Sequence, residues 1–344
     1  MKKLRKRIYA RIDADGIVLV SGKGKRKTPI QRLSEWIDQC LAKLKQYTKD
    51  IHICGNRNSF SKTDHDATFM HMKEDYMRNG QLKPGYNVNV ATCSDFIIGS
   101  YISSDRNDVH TLIPFMEQLR KNYAGRNIGS VVVDSGYESE ENYCWFEAHP
   151  ETELYVKPSN HEAVKHRKYR TDISRRENMA YDAQTDTYTC ANGKLLQRTQ
   201  EKKTHTASGL EIATSVYECN ECDGCPLKEK CIRACGSKKP LEERYKVIYV
   251  SKRFARQRQA MEAKISSPKG CLLRVNRSIQ AEGNFAYVKQ DLDFRRFLLR
   301  GNMKVAAEWL LFSLALNILH LHHKIQNRRL GSDLKIPSSF PAGL

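Results

Sequence analysis

Residues 86–157 alternate between strand-like and helix-like patterns, and this order constrains the fold more than any other feature of the sequence. Alternating apolar residues predict two strands, 86–92 and 96–103, and Cys93-Ser94-Asp95 between them suits a hairpin turn. The next predicted elements are a helix at 110–123, a buried strand at 128–134, a helix at 138–147 and a strand at 152–157. A hairpin followed by alternating helices and strands implies an α/β fold, with a mixed sheet and helices on its faces.

The other segments divide the chain into five predicted parts. Further helices are predicted at 30–47, 252–265, 278–298 and 302–325. Residues 160–250 are polar, basic and rich in cysteine, which indicates an insertion. The five parts are a basic segment with a helix (1–50), the first part of the core (51–159), the insertion (160–250), a helical part of the core (251–330) and a tail (331–344).

The charge balance points to a polyanionic partner. The 344 residues include 58 Lys and Arg but 39 Asp and Glu, a formal net charge of +19. Such an excess favours nucleic acid as the partner before an anionic membrane, although a basic soluble surface is the simpler alternative. The longest nearly apolar run, 306–319, is too short to span a bilayer, so no membrane association is predicted.

Three basic segments are the candidates for a DNA-facing surface. They are 165–176, 252–258 and the group Arg295, Arg296 and Arg300, with Tyr169, Phe254 and Phe297 among them. Contacts to phosphates would position DNA without reading its sequence. Each run alone is typical of a solvated face and each aromatic of a core position, but the net charge favours nucleic acid for the set.

A group of cysteines predicts a structural zinc site. Five of the 11 cysteines lie between Cys219 and Cys235, and no secretory signal is visible, which favours metal ligands over disulfides. Four thiolates at such short spacings can close a tetrahedral site. The predicted ligands are Cys219, Cys222, Cys225 and Cys231, with Cys190 and Cys235 as alternates. Free cysteines in a loop are the other interpretation.

Asp134 is the first candidate for catalytic chemistry. It ends a hydrophobic strand and is followed by Ser135-Gly136-Tyr137. Functional groups gather at the carboxyl ends of strands in open α/β sheets, and a carboxylate there is a good ligand for Mg²⁺. The alternative is an aspartate that caps the helix beginning near Glu138.

Glu282 is the second candidate. It shares one predicted helical face with Ile279, Phe285 and Ala286, and a carboxylate on an apolar face is costly to bury unless it is paired or bound to metal. Arg277 and Lys289 lie about one and two turns away along the same helix, where they would neutralise Glu282 or bind phosphate. A structural ion pair is the alternative for this group.

Several segments together resemble the DDE-type transposases of bacterial insertion sequences. The matching stretches are 55–70, 71–88, Val133-Asp-Ser-Gly-Tyr137, Gln280-Ala-Glu-Gly-Asn-Phe285 and Phe294-Arg-Arg-Phe-Leu-Leu-Arg-Gly301. They occur in the family's order over residues 50–330. The resemblance implies a ribonuclease-H-like fold in which three acidic residues hold two divalent ions, Mg²⁺ or Mn²⁺.

The resemblance also implies roles for individual residues. Asp134 is the second acid and Glu282 the third, and both are metal ligands. Arg277, Lys289, Arg295 and Arg296 are expected near the DNA phosphates. The family's arginine lies four residues before the glutamate, where this chain has Ser278, so Arg277 is one position away from it.

The family's first acid has no clear counterpart in this sequence. In the family it lies in an Asp-Gly-Thr-like strand, and Asp15-Gly16 does not continue in that way. We expect the chain to begin after the first acid, without the first strand of the sheet and the amino-terminal DNA-binding helices. Asp64 and Asp66 lie in a family motif and are interpreted as residues that order the rim of the active site.

These observations predict a transposase that cleaves and transfers the ends of an insertion sequence. The expected partners are transposon ends, target DNA and a second copy of the chain, in the nucleoid of a bacterial cytoplasm. Two other functions are compatible with the sequence. One is an inactive remnant that binds DNA or an intact transposase, and the other is a zinc-stabilised nucleic-acid-binding protein.

Overall fold

The computed structural model describes residues 1–72, 77–233, 239–331 and 334. Part of the 71–88 motif, the alternate ligand Cys235 and almost all of the predicted tail lie outside the described residues. The chain forms two compact units. The first consists of residues 1–86 and 299–305, and the second consists of residues 87–298 and the chain from 306 onwards.

The first unit is built around two helices, α1 (Lys2–Ala14) and α2 (Pro29–Cys54), and a short antiparallel pair, β1 (Thr68–Met70) and β2 (Lys83–Gly85). The Thr28 hydroxyl accepts a hydrogen bond from the backbone N–H of Gln31, and this cap together with Pro29 fixes the start of α2. Helix α1 falls in a segment predicted only as basic. Only Ile8 and Ile12 of α1 are buried in a core cluster. Two apolar residues within a charged sequence are too weak a pattern to predict a helix.

The predicted hairpin is confirmed in the second unit. Strands β3 (Asn87–Cys93) and β4 (Phe96–Ser103) pair antiparallel, with Cys93 opposite Phe96. Ser94 and Asp95 between them have φ values of 54° and 72°. Two consecutive residues at positive φ form the turn whose twist matches that of the flanking strands.

The predicted helix–strand–helix–strand order is also confirmed. Helix α3 (Leu112–Asn122) precedes β5 (Ser130–Val133), and α4 (Glu140–Glu147) connects β5 to β6 (Glu153–Val156), which pairs with it in parallel. Among the described residues the β3–β4 and β5–β6 pairs are separate two-stranded sheets. The valines of β5 are only partly buried, although the sequence predicted a buried strand. The fold is mixed α/β with small sheets.

The cysteine-rich region contains an antiparallel sheet of five strands. Its order is β11-β10-β9-β8-β7. The strands are β7 (Ala180–Asp182), β8 (Thr187–Thr189), β9 (Leu195–His205), β10 (Glu211–Cys219) and β11 (Lys246–Val250). Two short helices, α5 (Arg167–Arg170) and α6 (Lys228–Cys231), lie in the segments around it. Tyr217 and Leu196 are fully buried at its centre.

Helices form the carboxy-terminal part. Helix α7 (Lys252–Ser266) is followed by α8 (Pro268–Arg277), and the helix continues through α9 (Gly283–Ala286), with two π-helical segments, Ser278–Glu282 and Tyr287–Asp291. This helix therefore begins earlier and ends earlier than the predicted 278–298. Helix α10 (Asn302–Gln326) agrees with its prediction. Among the described residues, α10 is a helix whose length and apolar composition alone would allow it to cross a membrane.

Candidate active site and cysteine cluster

Asp134 lies directly after the carboxyl end of β5, as predicted. Its Oδ1 accepts a hydrogen bond from the backbone N–H of Gly136 at 2.9 Å, so the side chain caps the short turn Ser135–Tyr137. Asp134 can therefore cap this turn and also bind a metal ion, because the cap uses Oδ1 and leaves Oδ2 for another partner.

That second partner is Arg277, which brings the two predicted catalytic acids together. One guanidinium nitrogen lies 3.1 Å from Asp134 Oδ2, and the other lies 2.9 Å from Glu282 Oε1. The Ser278 hydroxyl also donates to Glu282 Oε2 at 3.0 Å. The side chain of Arg277 is 26% exposed and that of Glu282 is 63% exposed, so the group is open to solvent.

The π-helical segment Ser278–Glu282 explains how Arg277 reaches Glu282. The two residues are five apart, which is the spacing that a π-helix aligns, whereas an α-helix aligns residues three or four apart. Such segments are frequent at functional sites. The one-position offset from the family's arginine spacing therefore does not keep this arginine away from the glutamate.

Asp108 is a carboxylate at this site that the sequence analysis did not identify. A Cβ atom on Gly136 would lie 2.9 Å from Asp108 Oδ2 and 3.0 Å from Asp134 Oδ1, so glycine at this position leaves the space between the two carboxylates open. Asn87 donates to the other Asp108 oxygen at 2.7 Å. Asp108 also lies between the end of a strand and a helix, but it is five residues beyond the end of β4, in a polar loop, whereas Asp134 directly follows β5.

Tyr137 connects this turn to the β3–β4 hairpin. Its hydroxyl donates to Oδ1 of the buried Asn89 at 2.5 Å. Burial raises the pKa of Tyr137, and the negative charges of Asp108 and Asp134 raise it further. The hydroxyl therefore stays protonated at neutral pH and holds the turn without adding charge to the site.

The carboxylates of Asp108, Asp134 and Glu282 offer hard oxygen atoms as metal ligands, which suit Mg²⁺ or Mn²⁺. Within the described ranges, however, no group of three or more acidic, histidine or cysteine side chains is arranged to hold a metal ion. The Arg277 guanidinium lies between Asp134 and Glu282, where a cation bound to both would lie. The carboxylates fit the chemistry of a divalent ion, provided that Arg277 leaves them.

The other predicted DNA contacts are less closely tied to this group. Lys289 Nζ lies 5.8 Å from the centre of the Phe285 ring, and Arg295 pairs with Asp293 at 2.6 Å. Arg296 is exposed. In the described part of the chain, no hydrogen bond or ion pair joins Lys289 to Glu282.

The basic run 252–258 contributes less free charge than the sequence suggests. Lys252 pairs with Asp186, Arg253 with Glu140 and Arg258 with the buried Glu138. Of the aromatic residues in the basic segments, Tyr169 is buried, and Phe254 and Phe297 are partly buried against core clusters. Exposed basic residues remain on α5, namely Arg167, Lys168 and Arg170.

Comparison with known protein families gives a match, which covers the cysteine-rich sheet and the carboxy-terminal helices. Residues 189–322 match the transposase DDE domain. This match supports a DDE-type transposase, as the motifs indicated. The matched segment contains Glu282, Arg277 and Lys289, whereas Asp134 lies before it. No curated protein and no solved structure matched the chain. A transposase DDE domain implies DNA as the substrate, and such domains generally use divalent metal ions.

The matched DDE domain also contains the cysteine cluster. Cys219 is 1% exposed on β10, and burial raises the pKa of its thiol to about 11. Cys222 and Cys225 lie on a turn closed by the Cys225 N–H and the Cys222 carbonyl, and the Lys246 N–H donates to Cys222 Sγ at 3.4 Å. Burial raises the pKa of Cys231, and the neighbouring thiols of Cys190, Cys222 and Cys225 raise it further.

The acids of the first unit hold its loop together. Asp64 Oδ2 accepts from the Tyr86 hydroxyl at 2.6 Å, and Asp66 Oδ2 accepts from the Asn302 N–H at 2.8 Å. Arg57 donates to the Asp66 carbonyl at 2.9 Å. These contacts order the loop of the first unit, and the expected role of Asp64 and Asp66 at the rim of the active site stays a prediction. Asp15 pairs with Arg11 on α1.

Proposed function

We propose that the chain is a transposase that cuts DNA at the ends of an insertion sequence and joins them to target DNA, in the bacterial cytoplasm. The observation that carries this proposal is the contact of one arginine, Arg277, with both Asp134 and Glu282. The two acids come from distant parts of the chain, and both follow the family's motifs. The exposed position of the group suits a long polymeric substrate.

Asp134 and Glu282 would hold the divalent ions in this function. Bound there, the ions would activate the attacking hydroxyl and stabilise the leaving oxygen of the phosphodiester. Arg277 would neutralise the carboxylates in the free protein and transfer to a DNA phosphate on binding, because a guanidinium can contact either group with two nitrogens. Ser278 would keep Glu282 oriented during this exchange, through its hydrogen bond to Oε2.

The third carboxylate is proposed to be Asp108. It lies beside Asp134 across the space that Gly136 leaves open, and Asn87 orients it. Both residues follow strands of the proposed ribonuclease-H-like core. The order of that core, hairpin, helix, strand, helix, strand, is what supports the ribonuclease-H-like assignment.

One observation favours the inactive remnant as a second candidate. In the described part of the chain, β3 pairs only with β4 and β5 only with β6. Each of these strands therefore keeps one edge on which a further strand, carrying the family's first acid, could add. If that strand is required, the chain alone would bind DNA without cutting it.

A cleavage assay separates these functions. The purified chain would be incubated with Mg²⁺ and a supercoiled plasmid that carries its gene with the flanking DNA. A transposase produces nicks with 3′-hydroxyl ends that map to the borders of the insertion sequence. A remnant binds those borders but does not nick them. A general nucleic-acid-binding protein binds border and scrambled duplexes equally, which would contradict the proposal.

The exposed basic residues of α5 predict a measurable change in DNA affinity. Each lost phosphate contact lowers the slope of log K against log salt by about 0.9. Replacing Arg167, Lys168 and Arg170 by Gln should therefore reduce this slope by up to about 3, measured by fluorescence anisotropy with a duplex. As a control, Lys252→Gln should leave the slope unchanged, since Lys252 pairs with Asp186. Equal slopes for the wild type and the triple variant would exclude α5 from the interface.

We also propose a structural Zn²⁺ held by Cys190, Cys222, Cys225 and Cys231. Among the described residues these thiols are not arranged as a metal-holding group, so they would have to draw together when the ion binds. This set replaces Cys219 of the sequence prediction by its alternate, Cys190. Two observations support the exchange. Cys219 is more buried than Cys222, at 1% exposed against 8%, although both belong to the core cluster of the sheet. The thiols that act on the pKa of Cys231 are Cys190, Cys222 and Cys225, whereas those that act on the pKa of Cys219 are Cys222 and Cys190. The Lys246 N–H to Cys222 Sγ hydrogen bond would stabilise a thiolate at that position.

Zinc content distinguishes the two ligand sets. Cys190→Ser should lose most of the roughly one zinc per chain expected of a four-cysteine site, because three thiolates do not close it. Cys219→Ala should keep the zinc and lose on the order of 1–2 kcal/mol of stability from its small cavity. Zinc is measured by mass spectrometry on dialysed protein, with Cys93→Ser as a control for an exposed thiol. Zinc retained in Cys190→Ser but lost in Cys219→Ala would restore the original set.

A further inference from the structure

A buried asparagine, Asn284, lies on the helix that carries Glu282 and is 5% exposed. The two residues are two positions apart, which places their side chains on opposite sides of a helix. The Asn284 Nδ2 donates to the carbonyl of Gln280 at 2.7 Å and to the carbonyl of Asp95 at 3.5 Å. Its Oδ1 lies 2.9 Å from Nε2 of His320. Asn284 therefore links this helix to the β3–β4 turn and to α10, all within the second unit.

The hydrogen bonds of Asn284 have one consistent direction. The two carbonyl groups accept only from Nδ2, so Oδ1 faces His320 and the histidine donates through Nε2–H. Gln280 lies inside the π-helical segment Ser278–Glu282, so the bond to its carbonyl acts on that segment directly. Because π-helical segments are rare, this one needs contacts that favour it over an α-helix. The bonds from Asn284 are such contacts.

The conformation of this segment decides where the Glu282 carboxylate points. Arg277 reaches Glu282 across five residues because the segment between them is π-helical. In an α-helix each residue turns by about 100°, so side chains five residues apart point about 140° away from one another. A change of the segment to α-helix would therefore break the contact between Arg277 and Glu282 and turn the carboxylate away from Asp134.

We propose that Asn284 and His320 are positioning residues for Glu282. The histidine on α10 orients the Asn284 amide, and the amide holds the π-helical segment that turns the Glu282 carboxylate towards Asp134. This inference rests on the proposed function, in which Glu282 is a metal ligand. It assigns a role in the reaction to α10, a helix that carries none of the proposed metal ligands.

Hydrogen exchange of the full chain, followed by mass spectrometry, tests this role without DNA or metal. His320→Leu removes the donor to Asn284 Oδ1, and Asn284→Leu removes all three hydrogen bonds. Either substitution should speed the exchange of the backbone amides of residues 278–286 by roughly 2- to 10-fold, the effect of one lost hydrogen bond. His320→Gln should restore the wild-type rate, because its amide can donate in place of the imidazole.

Mn²⁺ binding measures the consequence for Glu282. The loss of a residue that orients a metal ligand lowers metal affinity or activity by roughly 10- to 100-fold. His320→Leu should weaken Mn²⁺ binding to that extent, and His320→Gln should bind Mn²⁺ like the wild type. The cleavage rate at saturating DNA should fall together with Mn²⁺ affinity, while the affinity for DNA stays unchanged.

Asn317→Leu is the matched control on the same helix. The Asn317 side chain bonds to the backbone N–H and carbonyl of Ile97 at 2.8 Å each. Its loss should lower stability but leave Mn²⁺ binding and the exchange of residues 278–286 unchanged. Equal losses in Asn317→Leu, or wild-type exchange and Mn²⁺ affinity in both His320→Leu and Asn284→Leu, would overturn the positioning role. If the wild type does not cut DNA, the transposase function fails, whereas the exchange and Mn²⁺ measurements still decide this role.

Discussion

Asp134→Asn and Glu282→Gln are each expected to abolish DNA cleavage and to leave DNA binding almost unchanged. The amides keep the shape of the side chains, and the amide oxygen introduced by Asp134→Asn can still accept from the Gly136 N–H. Both substitutions remove the negative charge that a divalent ion requires. A loss of about 4 kcal/mol of transition-state stabilisation corresponds to a rate decrease of about 10³-fold, and two-metal sites supply several kcal/mol.

The measurement is a single-turnover nicking rate on the border DNA, together with anisotropy for binding. Glu117→Gln, an exposed acid on α3, is the matched control for the loss of one carboxylate. Asp108→Asn should reduce the rate by a similar factor, because Asp108 is the proposed third ligand. If the Asp108 variant cuts at the wild-type rate while the other two do not, the third carboxylate comes from elsewhere. Wild-type rates in the Asp134 or Glu282 variant would refute the site itself.

The order of elements around this site could be predicted because each one carries a local signal. The β3–β4 hairpin has alternating residues and a turn suited to positive φ, and α4 has Ser139 as a cap that accepts from the Asn142 N–H. The five-stranded sheet was harder to predict from the sequence. Its long strand β9 is almost entirely exposed and polar, so it lacks the alternation of apolar and polar residues that indicates a half-buried strand. Its pairing is decided by contacts distant in sequence.

The site was predictable in its acids but not in its arrangement. Asp134 and Glu282 could be recognised from their motifs, but their link through Arg277 depends on a π-helical segment, for which the sequence has no simple pattern. Asp108 was missed because the segment 104–111 looks like an ordinary polar loop. The Asp108 and Asp134 side chains come close only because Gly136 has no side chain between them. Such a contact depends on the tertiary structure and has no local sequence pattern.

Arg277→Gln is expected to have opposite effects on metal binding and on cleavage. In the free protein the guanidinium competes with a divalent ion for Asp134 and Glu282, so its removal should tighten Mn²⁺ binding. Two partly exposed ion pairs of about 0.5–1 kcal/mol each predict roughly 5- to 30-fold. Cleavage should nevertheless fall by about 10²-fold, because Arg277 is no longer available to hold the scissile phosphate.

The same exchange couples metal and DNA binding in the wild type. If DNA draws Arg277 away from the carboxylates, DNA must tighten Mn²⁺ binding, and Mn²⁺ must tighten DNA binding by the same factor. Mn²⁺ binding is measured by electron paramagnetic resonance with and without a short duplex. Arg277→Gln should lose the coupling, whereas Arg277→Lys keeps the charge but cannot bridge both acids and should lose only part of it. Weaker Mn²⁺ binding by free Arg277→Gln would show that Arg277 organises the carboxylates and does not compete for them.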